Sequence, residues 1–472
     1  MFRRVLVAVL RLALRVFFRR IEVVGVERVP RGGACVFVLN HPNALVDPVF
    51  ILCRAPRRVS FLAKAPLFHM PVIGALARAL DAIPVYRRQD EGSDPARNRE
   101  TFERARELLR RGGSIAVCPE GVSHSDTKLR PVKSGAARIA LGVAAGDPAF
   151  DLEIVPAGLY YTAKTAFRSA ALLHFGEPFK VEPVALDEDG EPPHEAVREL
   201  SSRIERALHE VTLNAEHVHA LTTITRAERI FSSEDDDGGR GATGRTLARE
   251  LSLRRRFLAG YAFHLARSPE RLAALDARLS RYEETLRLAG LDAEDLSAAR
   301  ATPRAIARHV ATRVLPVMCL APFALAGVVV HYPAYKLAGL LATKIAREDD
   351  DVVSTIKIVA ALLFFPVTWI ALAVLSGWLS SWLGAGVALA VAPACGWIAV
   401  RFFEKLDGFV GGARALRFYL TRRWFFKELL AERRRLREEI AALGEEAARE
   451  TAAAAAAATP ALVSNEPTRH TI

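Results

Sequence analysis

Cysteine and methionine are scarce in this chain, five and three among 472 residues, and no two cysteines form a Cys-x-x-Cys pair. The odd, scattered set Cys35, Cys53, Cys118, Cys319 and Cys395 excludes a disulfide framework or a zinc knuckle and fits a reducing compartment. Cys118 has apolar neighbours and reads as a packed strand residue rather than a nucleophile. No Gly-x-Ser-x-Gly elbow and no His-Glu-x-x-His helix occurs, which removes serine-elbow hydrolases and zinc peptidases. The apolar run at 5–10 is too short for a secretory core, and no small-residue cleavage site follows it. Basic motifs interleaved with aromatics are also missing, so no nucleic-acid partner is expected.

Positive charge is in excess. Lys and Arg number 65 against 53 Asp and Glu, a net charge of +12, which suits a phosphate ester or an acidic membrane surface. Chemistry concentrates in Asn40-His-Pro-Asn-Ala-Leu-Val-Asp47, directly after the apolar run Ala34–Leu39. A buried strand ending in polar residues and proline is where an α/β sheet delivers side chains to its rim. Histidine is the side chain suited to proton transfer at working pH, so His41 is the candidate to accept a proton. Asp47 is six positions on, a spacing that points the side chains apart on a helix, so a turn through Pro42-Asn43 must fold them together. Folded so, the carboxylate holds one imidazole nitrogen protonated and stabilises the imidazolium formed in proton transfer. The pair alone also fits a loop histidine beside a helix-capping aspartate.

The surrounding blocks decide between these readings. Asn40–Asp47 followed by Pro48 resembles the first motif of the glycerolipid acyltransferases, the family of glycerol-3-phosphate and 1-acylglycerol-3-phosphate acyltransferases. Asp81-Ala-Ile-Pro-Val-Tyr-Arg87-Arg88, Cys118-Pro-Glu-Gly-Val-Ser-His-Ser125 and Ile154-Val-Pro-Ala-Gly158 resemble its later blocks, in the family's order. The resemblance implies an α/β fold, a mixed sheet flanked by helices. It further implies a membrane-bound enzyme in which His41 is the general base and Asp47 its orienting acid, moving a fatty acyl group to glycerol 3-phosphate. Dihydroxyacetone phosphate and a lysolipid are the alternative acceptors. Acyl-CoA as co-substrate comes from the resemblance alone, and acyl carrier protein stays open as donor; no cofactor or metal is implied. Arg87, Lys133 and Lys64 match basic positions of the family, and guanidinium geometry suits a phosphate headgroup. Glu120 can accept from a glycerol hydroxyl, while Gly121 permits close backbone approach. Two departures stand out. Five residues separate His41 from Asp47, where most of the family has four, as in the subgroup with fungal-type glycerol-3-phosphate and dihydroxyacetone-phosphate enzymes. The third block has Val122-Ser-His-Ser125 in place of Thr-Arg-Ser, leaving His124 or Lys128 as substitutes for the arginine. The altered block keeps a second class open, a non-catalytic lipid-binding membrane protein on the same scaffold.

Along the chain, residues 1–20 read as an amphipathic helix with Arg4, Arg11, Arg15 and Arg19 on one face, lying in a membrane interface or docked on the core. The catalytic domain is expected over 21–185. A helical region over 186–313 carries an acidic flexible linker near 232–244. Polarity then collapses over 314–401. Residues 358–375 and 382–400 are each long enough to span a bilayer as a hairpin. The stretch 314–331, interrupted by Pro316 and Pro322, reads as re-entrant or interfacial. Arginine-rich flanks at 300–313 and 401–437 demand an even number of crossings, with the catalytic domain on the cytoplasmic face. A basic helix over 402–450 and a disordered tail over 451–472 complete the expectation.

Overall fold

The computed structural model describes residues 1–86, 98–145, 149–215, 218–232, 246–291, 315–346 and 349–458. Arg87 and the acidic run 233–244 therefore lie outside the described residues, as does 459–472 of the expected tail. Two compact units are present. The first comprises Met1–Glu216, Arg245–Leu251 and His309–Leu406; the second comprises His217–Gly244, Ser252–Arg308 and Asp407–Ile472.

The first unit is built on an eight-stranded mixed sheet flanked by helices, as expected. Its strands are β1 (Arg20–Val24), β2 (Ala34–Leu39), β3 (Ser60–Lys64), β4 (Ile83–Val85), β5 (Ser114–Val117), β6 (Leu152–Tyr161), β7 (Ala170–Phe175) and β8 (Phe179–Lys180). Their order is β1-β7-β6-β2-β5-β3-β4, with β8 beside β6; β6 pairs antiparallel with β7 and β8, and the other pairings are parallel. Helices α1 (Phe2–Phe17), α2 (Val46–Arg54), α3 (Pro71–Ala79), α4 (Asn98–Arg110), α5 (Gly135–Ala144) and α6 (His194–Val211) surround it.

All six residues of β2 are buried because helices cover both faces of the sheet. Alternation still assigns them to two cores. Val36 and Val38 pack with Leu109 of α4, Ile139 of α5 and Ile204 and Leu208 of α6. Cys35, Phe37 and Leu39 pack with Leu14 of α1 and Phe50 and Ile51 of α2. The apolar stripe of α6 closes the first core, so this core extends past the boundary expected at 185. At the other end, α1 docks Leu10, Leu14 and Phe17, while Phe2, Val5, Val9 and Leu12 remain exposed. One stripe of α1 thus belongs to the core and the other is free for an interface.

Three apolar helices of this unit are long enough to cross a membrane: α10 (Leu315–Ala346), α11 (Asp350–Leu379) and the first part of α12 (Trp382–Thr421). The broken segment expected at 314–331 is instead one continuous helix, with Pro322 and Pro333 inside it. Neighbouring helices and local adjustment let apolar helices keep internal prolines. The three pack through small and polar residues. A Cβ on Gly327 would lie 2.2 Å from the Cys395 carbonyl oxygen, and one on Gly396 would lie 2.7 Å from the His331 ring. His331 Nδ1 donates to the Gly327 carbonyl at 2.7 Å, and Nε2 accepts the Trp369 indole N–H at 2.8 Å.

In the second unit, α7 (Val218–Ser232), α9 (Pro269–Leu288) and α13 (Arg423–Ala458) share a core of Ile230, Leu279, Tyr282, Phe426 and Leu436. The helix α8 (Leu247–Arg267) begins in the first unit and continues into the second. Arg278 bridges Glu432 at 2.7 Å, and Arg226 bridges Glu283 at 2.8 Å. Residues 451–458, expected to be disordered, are the last turns of α13.

A substitution tests the seat of α6 on the sheet. A Cβ on Gly158 of β6 would come within 2.1 Å of the Val211 carbonyl oxygen, whereas nothing lies within 4 Å of one on Gly32. Gly158→Ala is expected to cost about 1–3 kcal/mol, read as a lower melting temperature of the detergent-solubilised protein. Gly32→Ala is expected to leave it unchanged. Equal melting temperatures for both variants contradict this packing.

Candidate active site

β2, β5 and β6 run parallel, so their carboxyl ends share one edge of the sheet, where the site is assembled. Asn40 first locks that edge. Its amide donates to the Leu159 carbonyl at 3.0 Å and accepts the Leu159 N–H at 2.7 Å, extending the β2–β6 pairing beyond the ladder. The chain then turns through 41–45 and enters α2, with Asp47 in the first helical turn, where the dipole favours a carboxylate. The turn brings the pair together: His41 Nδ1 lies 2.9 Å from Asp47 Oδ2. Ala44 takes φ 34°, a left-handed conformation unusual for a residue with a side chain, in the turn that accommodates the five intervening residues.

Asp47 has no solvent exposure, and three donors compensate its charge. Besides His41, the Asn43 backbone N–H donates to Oδ2 at 2.7 Å and the Tyr161 hydroxyl donates to Oδ1 at 2.7 Å. Burial, the charge of Asp47 and the hydrogen bond to it push the Tyr161 phenol well above its ordinary pKa, so it stays a donor. A carboxylate only accepts, so His41 donates from Nδ1 to Asp47 and keeps Nε2 as an acceptor. Tyr161 was not legible in the sequence: it reads as the last residue of a strand, and its partner is 114 positions away.

Glu120 takes a different place from the one its chemistry suggested. It is 2% exposed and both its oxygens are occupied within the protein. Oε1 accepts the His41 backbone N–H at 2.9 Å, and Oε2 accepts the Arg130 N–H at 2.8 Å and faces His124 Nε2. His124 Nδ1 accepts the Asp126 N–H at 3.2 Å, which leaves Nε2–H as the donor to Glu120. Glu120 thus fastens the His41 turn to the loop after β5. His124 is spent on this link rather than offered as a free cation, and Lys128 is exposed and not part of the cavity wall.

A cavity of about 1180 Å³ opens beside His41. Lys64, Arg99, Lys133 and Arg138 line it, and none forms an ion pair among the described residues. Lys64 ends β3, and Lys133 is held by its backbone N–H on the Pro119 carbonyl at 2.8 Å. Gly121 has φ 77°, and a Cβ there would lie 2.6 Å from Lys133 Nζ, so glycine leaves the room that the lysine occupies. Arg99 and Arg138 were missed, because a single arginine in an amphipathic helix reads as a solvated residue. Apolar side chains line it as well, among them Leu14 from α1, Val49 from α2 and Ile73 and Leu76 from α3.

Glu120→Gln tests this reading of the loop. An amide cannot serve as acceptor for all three donors, so the variant is expected to lose about 1.5–3 kcal/mol of stability, seen as a lower melting temperature. An unchanged melting temperature contradicts a structural Glu120.

Comparison with known proteins bears on the family. The "Acyltransferase" family model matches residues 20–160, and that of the "Glycerol-3-phosphate acyltransferase 2 C-terminal domain" matches 242–451. Glycerol-3-phosphate O-acyltransferase 2 of Saccharomyces cerevisiae is 28% identical over 291 residues, covering 59% of this chain and 38% of the relative. Glycerol-3-phosphate O-acyltransferase 1 of the same yeast is 26% identical over 450 residues, covering 75% and 58%. The chloroplastic 1-acyl-sn-glycerol-3-phosphate acyltransferase of Brassica napus is 31% identical over 124 residues, covering 26% and 34%. The matched part thus spans little more than a third and somewhat over half of the two yeast relatives' lengths. The two family models cover most of the sheet with its His41–Asp47 turn and, separately, the apolar helices, so the chain carries an acyltransferase domain followed by a region similar to the C-terminal domain of glycerol-3-phosphate acyltransferase 2.

Proposed function

We propose that this protein transfers a fatty acyl group from acyl-CoA to a hydroxyl of glycerol 3-phosphate at a membrane surface. The observation that carries the reading is the His41–Asp47 pair beside a cavity that combines a cationic surface, Lys64, Arg99, Lys133 and Arg138, with an apolar one. A phosphorylated, hydroxyl-bearing acceptor and a long acyl chain meet those two surfaces. The yeast relatives' names support glycerol 3-phosphate as the acceptor.

In the proposed reaction His41 Nε2 takes the proton of the acceptor hydroxyl as its oxygen attacks the thioester carbonyl. The tetrahedral intermediate collapses with cleavage of the carbon–sulfur bond. The imidazolium returns its proton to the departing thiolate, and an ester and a free thiol result. Asp47 stays ionised throughout and stabilises the imidazolium, with Tyr161 and the Asn43 N–H holding the carboxylate in place. Lys133, Lys64, Arg99 and Arg138 hold the phosphate groups of the substrates, and Arg87 joins them by its place in the second block. Such positioning turns a bimolecular encounter into a nearly unimolecular step.

Membrane placement follows from the apolar helices and the charge around them. The second unit's core joins Leu279 with Phe426 and Leu436, so the chain leaves and re-enters one side of the membrane between 291 and 407. An even number of crossings satisfies this. Within the first unit, Asp351 at the start of α11 pairs with Ser123, and Glu404 near the end of the apolar part of α12 binds Arg168 Nε at 2.6 Å. Both ends of the α11–α12 hairpin therefore meet the catalytic domain. The hairpin makes the two crossings, and α10 makes no third complete one. Arginine-rich flanks support a catalytic domain on the cytoplasmic side.

Membranes carrying the protein, given labelled acyl-CoA, are expected to acylate glycerol 3-phosphate in preference to dihydroxyacetone phosphate or lysophosphatidate. Lys133→Ala is expected to raise the acceptor KM roughly 10–100-fold, the loss of one charge-assisted contact. Preference for lysophosphatidate reassigns the acceptor; product only from acyl carrier protein reassigns the donor. No product from any pair supports the non-catalytic lipid-binding reading.

A further inference from the structure

Helix α11 is 30 residues long. At 1.5 Å per residue this is about 45 Å, against about 30 Å of bilayer hydrocarbon, so about 15 Å is surplus. The surplus is accounted for at its amino-terminal end, where the helix is fastened to the loops of the active site. Asp351 pairs with Ser123, three residues beyond the glutamate that holds the His41 N–H. Ser354, fully buried, donates to the Lys164 carbonyl, and Lys357 Nζ donates to the Thr165 carbonyl at 2.7 Å. Lys164 in turn donates to the Pro42 carbonyl, within the His41 turn, at 2.9 Å. Ile358 packs against the core that contains Leu10 and Leu14.

The adjacent stripe of the same turns, Val352, Ile356, Val359 and Leu362, lines the cavity beside His41. Asp351 is tied to the loop after β5, and the helix carries Val352 to Leu362 a growing distance from that contact. That distance is about 15 Å, half the hydrocarbon thickness and so the length of one lipid acyl chain. We propose that the first four turns of α11 form a wall of the acyl-chain site, with Val359 and Leu362 setting the length of acyl group accepted. This inference rests on the acyl-transfer reading of the site. It gives a C-terminal apolar helix a part in substrate selection as well as in membrane attachment.

The test measures kcat/KM of the full-length protein in membranes for butyryl-, decanoyl- and palmitoyl-CoA. Leu362→Trp is expected to raise the butyryl-to-palmitoyl ratio about tenfold or more, as crowding of an apolar pocket by a few methylenes does. Val359→Ala is expected to move the ratio the other way, a gain for the longer chain that misfolding cannot produce. Ile370→Trp, further along the helix and outside the cavity wall, serves as a control and is expected to leave the ratio at the wild-type value. Normal wild-type product with an unchanged ratio in both Leu362→Trp and Val359→Ala overturns the inference and leaves the acyl-transfer reading intact. No wild-type product from any donor overturns both.

Discussion

A carboxylate withdrawn from water is tolerated only where donors replace its hydration, and Asp47 has lost all of its solvent exposure. Its three donors come from the turn after β2 and from the end of β6, so one ion fixes two parts of the sheet edge at once. The tautomer of His41 follows from that bond, and the free nitrogen follows from the tautomer. Glu120 does the same work from the other side, with the His41 N–H and the loop after β5 as its partners. His41 is thus held by side chain and backbone through two buried carboxylates.

Much of this was legible in the residues. The apolar run Ala34–Leu39 announced a strand, and the six-residue offset to Asp47 required a turn, because no helix could bring the pair together. What escaped were relationships between distant residues. Tyr161 looks like strand filler until β6 is placed beside β2. Glu120 was read by its chemistry as a substrate acceptor, since nothing local indicates that both its oxygens are taken. Arg99 and Arg138 gain meaning only when α4 and α5 are set around one cavity. The uninterrupted α10 was hidden by Pro322 and Pro333, which break helices in water but are tolerated inside long apolar helices.

The first unit joins a soluble-type α/β sheet to apolar helices by specific polar contacts rather than by a passive tether. Arg168 reaches Glu404 through its Nε and the carbonyls of Arg15 and Val16 through NH1, at a residue whose φ of 66° is left-handed. Lys164, four residues before Arg168, donates both to the Pro42 carbonyl in the His41 turn at 2.9 Å and to Ser125 Oγ at 2.6 Å. Burial lowers the pKa of Lys164, opposed by the charges of Asp351 and Asp47. The segment between β6 and β7 is therefore where the reacting edge of the sheet and the membrane helices meet.

The most direct test of the account is single-turnover transfer from labelled acyl-CoA to glycerol 3-phosphate, comparing wild type with His41→Ala and Asp47→Asn in matched membranes. The account predicts product from wild type and a fall in rate of roughly a thousandfold or more in each variant, as expected when a general base or its orienting acid is lost. A wild-type rate in His41→Ala would remove the histidine from the chemistry and contradict the account.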